Sequence, residues 1–126
     1  LSTILGLFND DFNFPQSMTL DARYTVRTSD SHYLYIRAHG LYRPGPGTTY
    51  AKSVEENPES VPPATVSQDD VEFFSHLRIE AGSGPYNWLN GLVCLGVMCC
   101  EGEKIWIDAY YLTNFPGIKP EDVVAK

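Results

Sequence analysis

Asp21, Arg23, Arg37 and His39 are the residues of this chain whose types suit chemistry, because one strand pairing makes direct neighbours of them. A carboxylate beside an imidazole can orient it as a general base. Two arginines set face to face repel each other unless a carboxylate or an anionic ligand lies between them. Together these groups suit proton removal from an enolisable compound, with His39 as the base, Asp21 as its orienting partner, and Arg23 and Arg37 holding the enolate or carboxylate. Tyr35 or Tyr110 is placed to return a proton. Arg78, Glu80, Trp106, Asp108 and Tyr110 fall on strands of the same alternating kind and complete a candidate ligand-binding set.

The element that must position the first four residues runs from Leu20 to Gly40, LDARYTVRTSDSHYLYIRAHG. Asp21, Arg23, Thr25 and Arg27 alternate with Leu20, Ala22, Tyr24 and Val26. After Ser29-Asp30-Ser31 the alternation resumes, with Tyr33, Tyr35, Arg37 and His39 against Leu34, Ile36 and Ala38. A three-residue loop at 29–31 sets Thr28 opposite His32. It then pairs Arg27 with Tyr33, Thr25 with Tyr35, Arg23 with Arg37 and Asp21 with His39. A two-residue loop would set charged residues against aliphatic ones, so the first register is predicted.

At 126 residues the chain fits one domain, large enough for a core without staples. Hydrophobic residues at 43% and aromatics at 13% predict a packed protein. A net charge of -7 argues against nucleic acid or an anionic membrane as partner. Arg23, Arg27 and Arg37 nevertheless make the hairpin locally positive. Cys94, Cys99 and Cys100 lack the paired spacing and nearby His of a zinc site and read as reduced thiols. No cofactor motif is present and no apolar run reaches the length of a membrane span, so a soluble protein is expected, cytoplasmic in preference to secreted. The first residue is not Met, which allows for a removed leader or upstream residues.

Leu1–Phe8 reads as a strand. Gly40 is expected to open a long irregular segment, 41–69, rich in Pro and Gly, with a helical turn at 50–56 and the position of a lid or an insertion over one barrel mouth. Val71–Glu80 alternates again. Tyr86–Cys99 is almost continuously apolar and reads as a strand bent at Gly91 and Gly96, and Lys104–Leu112 as the last strand. In the tail 113–126, Pro120 followed by acids predicts a helix start. About six strands at hairpin spacing with little helix predict an all-β antiparallel barrel or strongly curved sheet.

LDARY at 20–24, Arg78-x-Glu80, YNWLN at 86–90 and IDAY at 107–110 resemble the domain of unknown function 3237 family, over about Asp10 to Leu112. The resemblance implies a small soluble antiparallel β-barrel and carries no established reaction. It adds Trp88 and Asn90 to the candidate ligand wall. Members have further strands before the position of Leu1, so barrel closure is expected to need an edge from elsewhere, and Phe74 stands where members often have Arg.

Two placements of the mixed face remain. Either the aliphatic faces fill the interior, as in a half-solvated sheet, or Asp21, Arg23, Arg27, Arg37, His39, Glu72, His76, Arg78, Glu80, Lys104 and Asp108 line a wet lumen with Tyr33, Tyr35, Trp106 and Tyr110. The aromatics among the charges favour the lumen. The functional expectation is a small-molecule-binding β-barrel acting as a cofactor-independent isomerase, cyclase or lyase on an enolisable or anionic aromatic metabolite. The alternatives are a non-catalytic ligand-binding module and an oligomerisation module, a homodimer.

Overall fold

The hairpin is built in the predicted register. In the computed structural model, which describes residues 2–4, 7–9, 18–59, 63, 65–102 and 104–124, β3 (Met18–Arg27) pairs antiparallel with β4 (Tyr33–Pro44), setting Asp21 opposite His39, Arg23 opposite Arg37 and Arg27 opposite Tyr33. Thr28 N–H donates to His32 O at 2.8 Å and Ser31 N–H to Thr28 O at 3.1 Å, closing the three-residue loop with Ser31 at φ 67°. A left-handed third loop residue is what such a loop requires.

Short strands β1 (Ser2–Ile4) and β2 (Leu7–Asn9) both pair with β3, on its other edge. On the far side follow β5 (Val71–Ala81), β6 (Cys94–Glu101) and β7 (Lys104–Tyr111), giving the antiparallel order β1-β3-β4-β5-β6-β7 with β2 also on β3. Among the described residues β7 pairs only with β6, so the sheet is barrel-like and open. Helix α1 (Thr49–Glu56), a 3-10 helix (Asn87–Gly91) and helix α2 (Pro120–Val124) complete the chain.

The aliphatic faces form the interior. Leu20, Tyr42, Val66, Val71, Phe73 and Met98 pack as one buried cluster, and Ala22, Tyr24, Ala38, Leu77 and Cys94 as another. Ile107 of β7 packs against both, so the sheet curls until its last strand faces the residues of β3 and β4. The lumen of charges favoured by the aromatic enrichment is therefore not how the sheet curves: the mixed face is the outer one. Dehydrating each ionised group costs several kcal/mol, about the order that burying a whole aliphatic side chain contributes, so the aliphatic face wins the interior.

Three boundaries differ from the sequence reading. First, β4 does not stop at Gly40 but continues to Pro44, still paired with β5. Gly40 is the residue that permits this. A Cβ there would lie 1.8 Å from Phe74 O, so β4 and β5 come together closely only because position 40 has no side chain. Second, the segment before β5 therefore begins at residue 45, and of its described residues Val54 and Val66 are buried, with Val66 and Cys100 exchanging backbone bonds at 3.0 and 3.1 Å. Thr48 starts α1 by accepting from Ala51 N–H at 3.1 Å.

Third, the apolar run from Tyr86 is not one strand. Its first half forms the 3-10 helix, fastened by Asn90, which accepts from Ala81 N–H at 3.0 Å and donates to Ala81 O at 2.8 Å and Asn87 O at 2.9 Å. Leu1–Phe8 likewise becomes two short strands, with residues 1, 5 and 6 outside the described set.

Candidate functional site

Because β3, β4 and β5 are paired side by side, their registers combine into rows that cross the outer face. Arg23 pairs with Arg37, and Arg37 with Arg78, so three arginines stand in line on adjacent strands. Directly paired side chains in such rows start about 4.5–5.5 Å apart at Cβ. The next row along the strands is Asp21, His39, His76, Leu95 and Tyr110, and the row beyond it Thr19, Leu41, Phe74, Val97 and Asp108. On the other side of the arginines lie Thr25, Tyr35 and Glu80.

The arginine row is under-neutralised. Arg78 Nε lies 3.6 Å from Glu80 Oε1, a loose contact on a side chain that is 78% exposed. Arg23 and Arg37 make no ion pair among the described residues. Arg37 Nε is moreover buried with no hydrogen-bond partner there. An unpaired donor of a charged group is costly to bury, which is unusual for a surface with no further task.

His39 Nδ1 lies 3.7 Å from Asp21 Oδ1, both side chains about half exposed, so the predicted pair is formed. His76, expected on the mixed face but not in a catalytic role, stands directly beside His39 through the β4–β5 register. Phe74, His76, Leu95 and Val97, with Leu41, line a shallow cavity of about 290 Å³ on this face. Phe74 and Leu95 are exposed, Leu95 in the histidine row next to the arginines and Phe74 in the row beyond it.

The remaining expected residues divide. Trp106 and Tyr110 stand exposed on β7, on the outer face. Asp108 accepts from Gln68 Nε2 at 2.9 Å, and its row is two removed from the arginines. Tyr35 is four residues from His39 on the same strand, roughly 13 Å away, so it does not reach the same substrate carbon as His39. Asn90 spends its amide on backbone groups of Ala81, at the end of β5, and of Asn87 in the 3-10 helix, where the half-buried Trp88 also sits.

The loop of the hairpin is held separately. Asp30 Oδ1 accepts from Thr28 Oγ1 at 2.5 Å and from Tyr86 Oη at 2.9 Å, and His32 meets the Tyr86 ring edge-on. Those hydrogen bonds hold the Asp30 carboxyl down at about 2. Among the described residues no cluster of His, Cys, Asp and Glu is arranged to hold a metal ion, and no helix is long and apolar enough to cross a membrane.

A family model described as a protein of unknown function, DUF3237, matches residues 8–112. The chain belongs to the DUF3237 family. No curated protein matches it. Among solved structures it is similar to a β-barrel-like protein from Acinetobacter baumannii, at 21% identity and TM-score 0.62, over 89% of this chain and 64% of that one. It is also similar to a protein with unknown function from Clostridium acetobutylicum, at 19% identity and TM-score 0.56, over 79% and 59%. A third match is a conserved protein of unknown function from Rhodopseudomonas palustris, at 17% identity and TM-score 0.65, over 88% and 67%. These likenesses carry the barrel-like fold. The chain spans about 64% of the length of the Acinetobacter protein.

Proposed function

We propose that this DUF3237 domain binds a small anionic molecule with an aromatic or otherwise apolar body on the outer face of its sheet. The observation that carries the reading is the row Arg23–Arg37–Arg78, aligned across three strands, in which Arg23 and Arg37 make no ion pair among the described residues and Arg78 only a loose one. A carboxylate or phosphate laid over the row would relieve the mutual repulsion of the guanidinium groups and accept from their exposed N–H groups. The apolar body would then rest toward Phe74 and Leu95, across the His39–His76 row.

The test is a chemical-shift titration with 2-naphthoate against its neutral counterpart 2-naphthylmethanol. The acid is expected to move the amides around Arg23, Arg37, Arg78 and Phe74 saturably, and more strongly at low salt. Equal responses to acid and alcohol would overturn the reading.

The Asp21–His39 contact, with His76 alongside, supports a second reading in which the bound molecule is enolisable and His39 removes a proton from carbon. Loss of solvent deuterium exchange into a bound 2-oxo acid in His39→Gln, with binding retained, is its signature; exchange equal to wild type would sink it. A homodimer formed through the Phe74–Leu95 wall is the competing use of this face. It predicts a molecular mass by light scattering that falls on dilution.

A further inference from the structure

Along the strands, the outer face repeats one order of chemistry. On β4 the outward residues run Arg37, His39, Leu41, and on β5, in the opposite chain direction, Arg78, His76, Phe74. The register sets Arg37 beside Arg78, His39 beside His76 and Leu41 beside Phe74, so two neighbouring strands present cation, imidazole and apolar side chain in step. Successive rows are two residues apart, about 7 Å, so the arginines and the apolar pair stand about 13 Å from each other with the imidazoles between them. The apolar pair belongs to the cavity of about 290 Å³ that His76, Leu95 and Val97 also line. On β3 the same rows hold Arg23, Asp21 and Thr19, with no aliphatic or aromatic side chain, which leaves β4 and β5 as the bed for a molecule with an apolar end.

The middle row has a polarity of its own. His39 turns Nδ1 toward Asp21 Oδ1, 3.7 Å away. A carboxylate there favours the proton on Nδ1, so neutral His39 offers Nε2 as an acceptor. His76, in no ion pair among the described residues, is free to donate. The two side chains start about 4.5–5.5 Å apart at Cβ, which suits a single oxygen shared between them. A hydroxyl donates to one imidazole and accepts from the other, whereas a ketone or ether only accepts. Resting on the anion-binding reading of the arginine row, we propose that the ligand of this face is a hydroxylated anion lying along β4 and β5. Its carboxylate or phosphate meets Arg37 and Arg78, its hydroxyl sits one row on between His39 and His76, and its aryl or alkyl end lies over Leu41 and Phe74.

The test is isothermal titration calorimetry at low salt and about pH 8, above the ordinary range of imidazole protonation. It compares 6-hydroxy-6-phenylhexanoate with 6-phenylhexanoate and with the 6-methoxy ether, which accepts a hydrogen bond but does not donate one. The hydroxy acid is expected to bind wild type about five- to tenfold more tightly than either, the worth of one hydrogen bond. In folded His39→Phe that advantage is expected to vanish. The ring-less 6-hydroxyhexanoate is expected to bind wild type more weakly than its phenyl counterpart. Equal affinity for the hydroxy acid and 6-phenylhexanoate would overturn the hydroxyl assignment while leaving the anion-binding reading in place. An advantage that persists in His39→Phe, or that the ether shares, would overturn donation to His39, and a 6-hydroxyhexanoate affinity equal to that of the phenyl compound would overturn the apolar end. Failure of every one of these carboxylates to bind would overturn the assignment and the anion-binding reading together.

Discussion

Replacing Arg37 by Met is expected to make the protein more stable. Arg37 stands between Arg23 and Arg78, and like charges directly opposed across strands each cost about 0.2–1 kcal/mol. Its buried, unpaired Nε adds a penalty of about 1–3 kcal/mol. Met keeps most of the aliphatic stem, so little packing is lost to set against these gains. A net stabilisation of about 1–2 kcal/mol at low salt follows, equivalent to a rise in melting temperature of roughly 4 °C or more for a chain of this size. The assay is urea unfolding of wild type and Arg37→Met at pH 7, at low and at high salt. The part of the gain due to like charges should shrink as salt screens them. A loss of stability in Arg37→Met at low salt would refute the reasoning, because the guanidinium would then be making contacts that favour the fold. A gain in stability coupled to loss of anion binding is the mark of a residue kept for its ligand.

Gly40→Ala is expected to destabilise by about 3 kcal/mol or more, since its Cβ would meet Phe74 O at 1.8 Å, while Gly82→Ala, with open space around it, should stay within about 0.5 kcal/mol; thermal unfolding of the two distinguishes them. Asp30 holds its proton less tightly folded than unfolded, about 2 against 3.8, because Thr28 and Tyr86 donate to the carboxylate. Its contribution to stability is therefore complete above about pH 4 and is lost as pH falls through 2, and Asp30→Asn should flatten that part of the acid unfolding curve. An Asp30 carboxyl seen by NMR to titrate near 3.8 would contradict the loop's hydrogen bonding.

The β3–β4 hairpin was legible because alternation and a three-residue loop admit one register, and Asp21–His39 and Arg23–Arg37 follow from it. The place of the third arginine beside them was not. Arg78 reaches Arg37, and His76 reaches His39, through the β4–β5 register, which residues 45–70 leave open because a long connection sets no pairing. The aromatics on the mixed face pointed toward a lumen, but Tyr33, Trp106 and Tyr110 stand exposed, and dehydration of so many ions outweighs their apolar surface. The 3-10 helix was hidden in an apolar run because its cause is the side chain of Asn90, bonded to a strand end nine residues earlier. Gly40 read as a strand end, since sequence alone does not distinguish a glycine that stops a strand from one that lets two strands approach.

The most direct measurement of the central claim is the affinity of 2-naphthoate for wild type and Arg37→Met by isothermal titration calorimetry at low salt, with both proteins shown to be folded. The arginine row predicts one site per chain in wild type and affinity at least about tenfold weaker in the variant, the scale of one charge-assisted hydrogen bond. Equal affinity in the two proteins would contradict it.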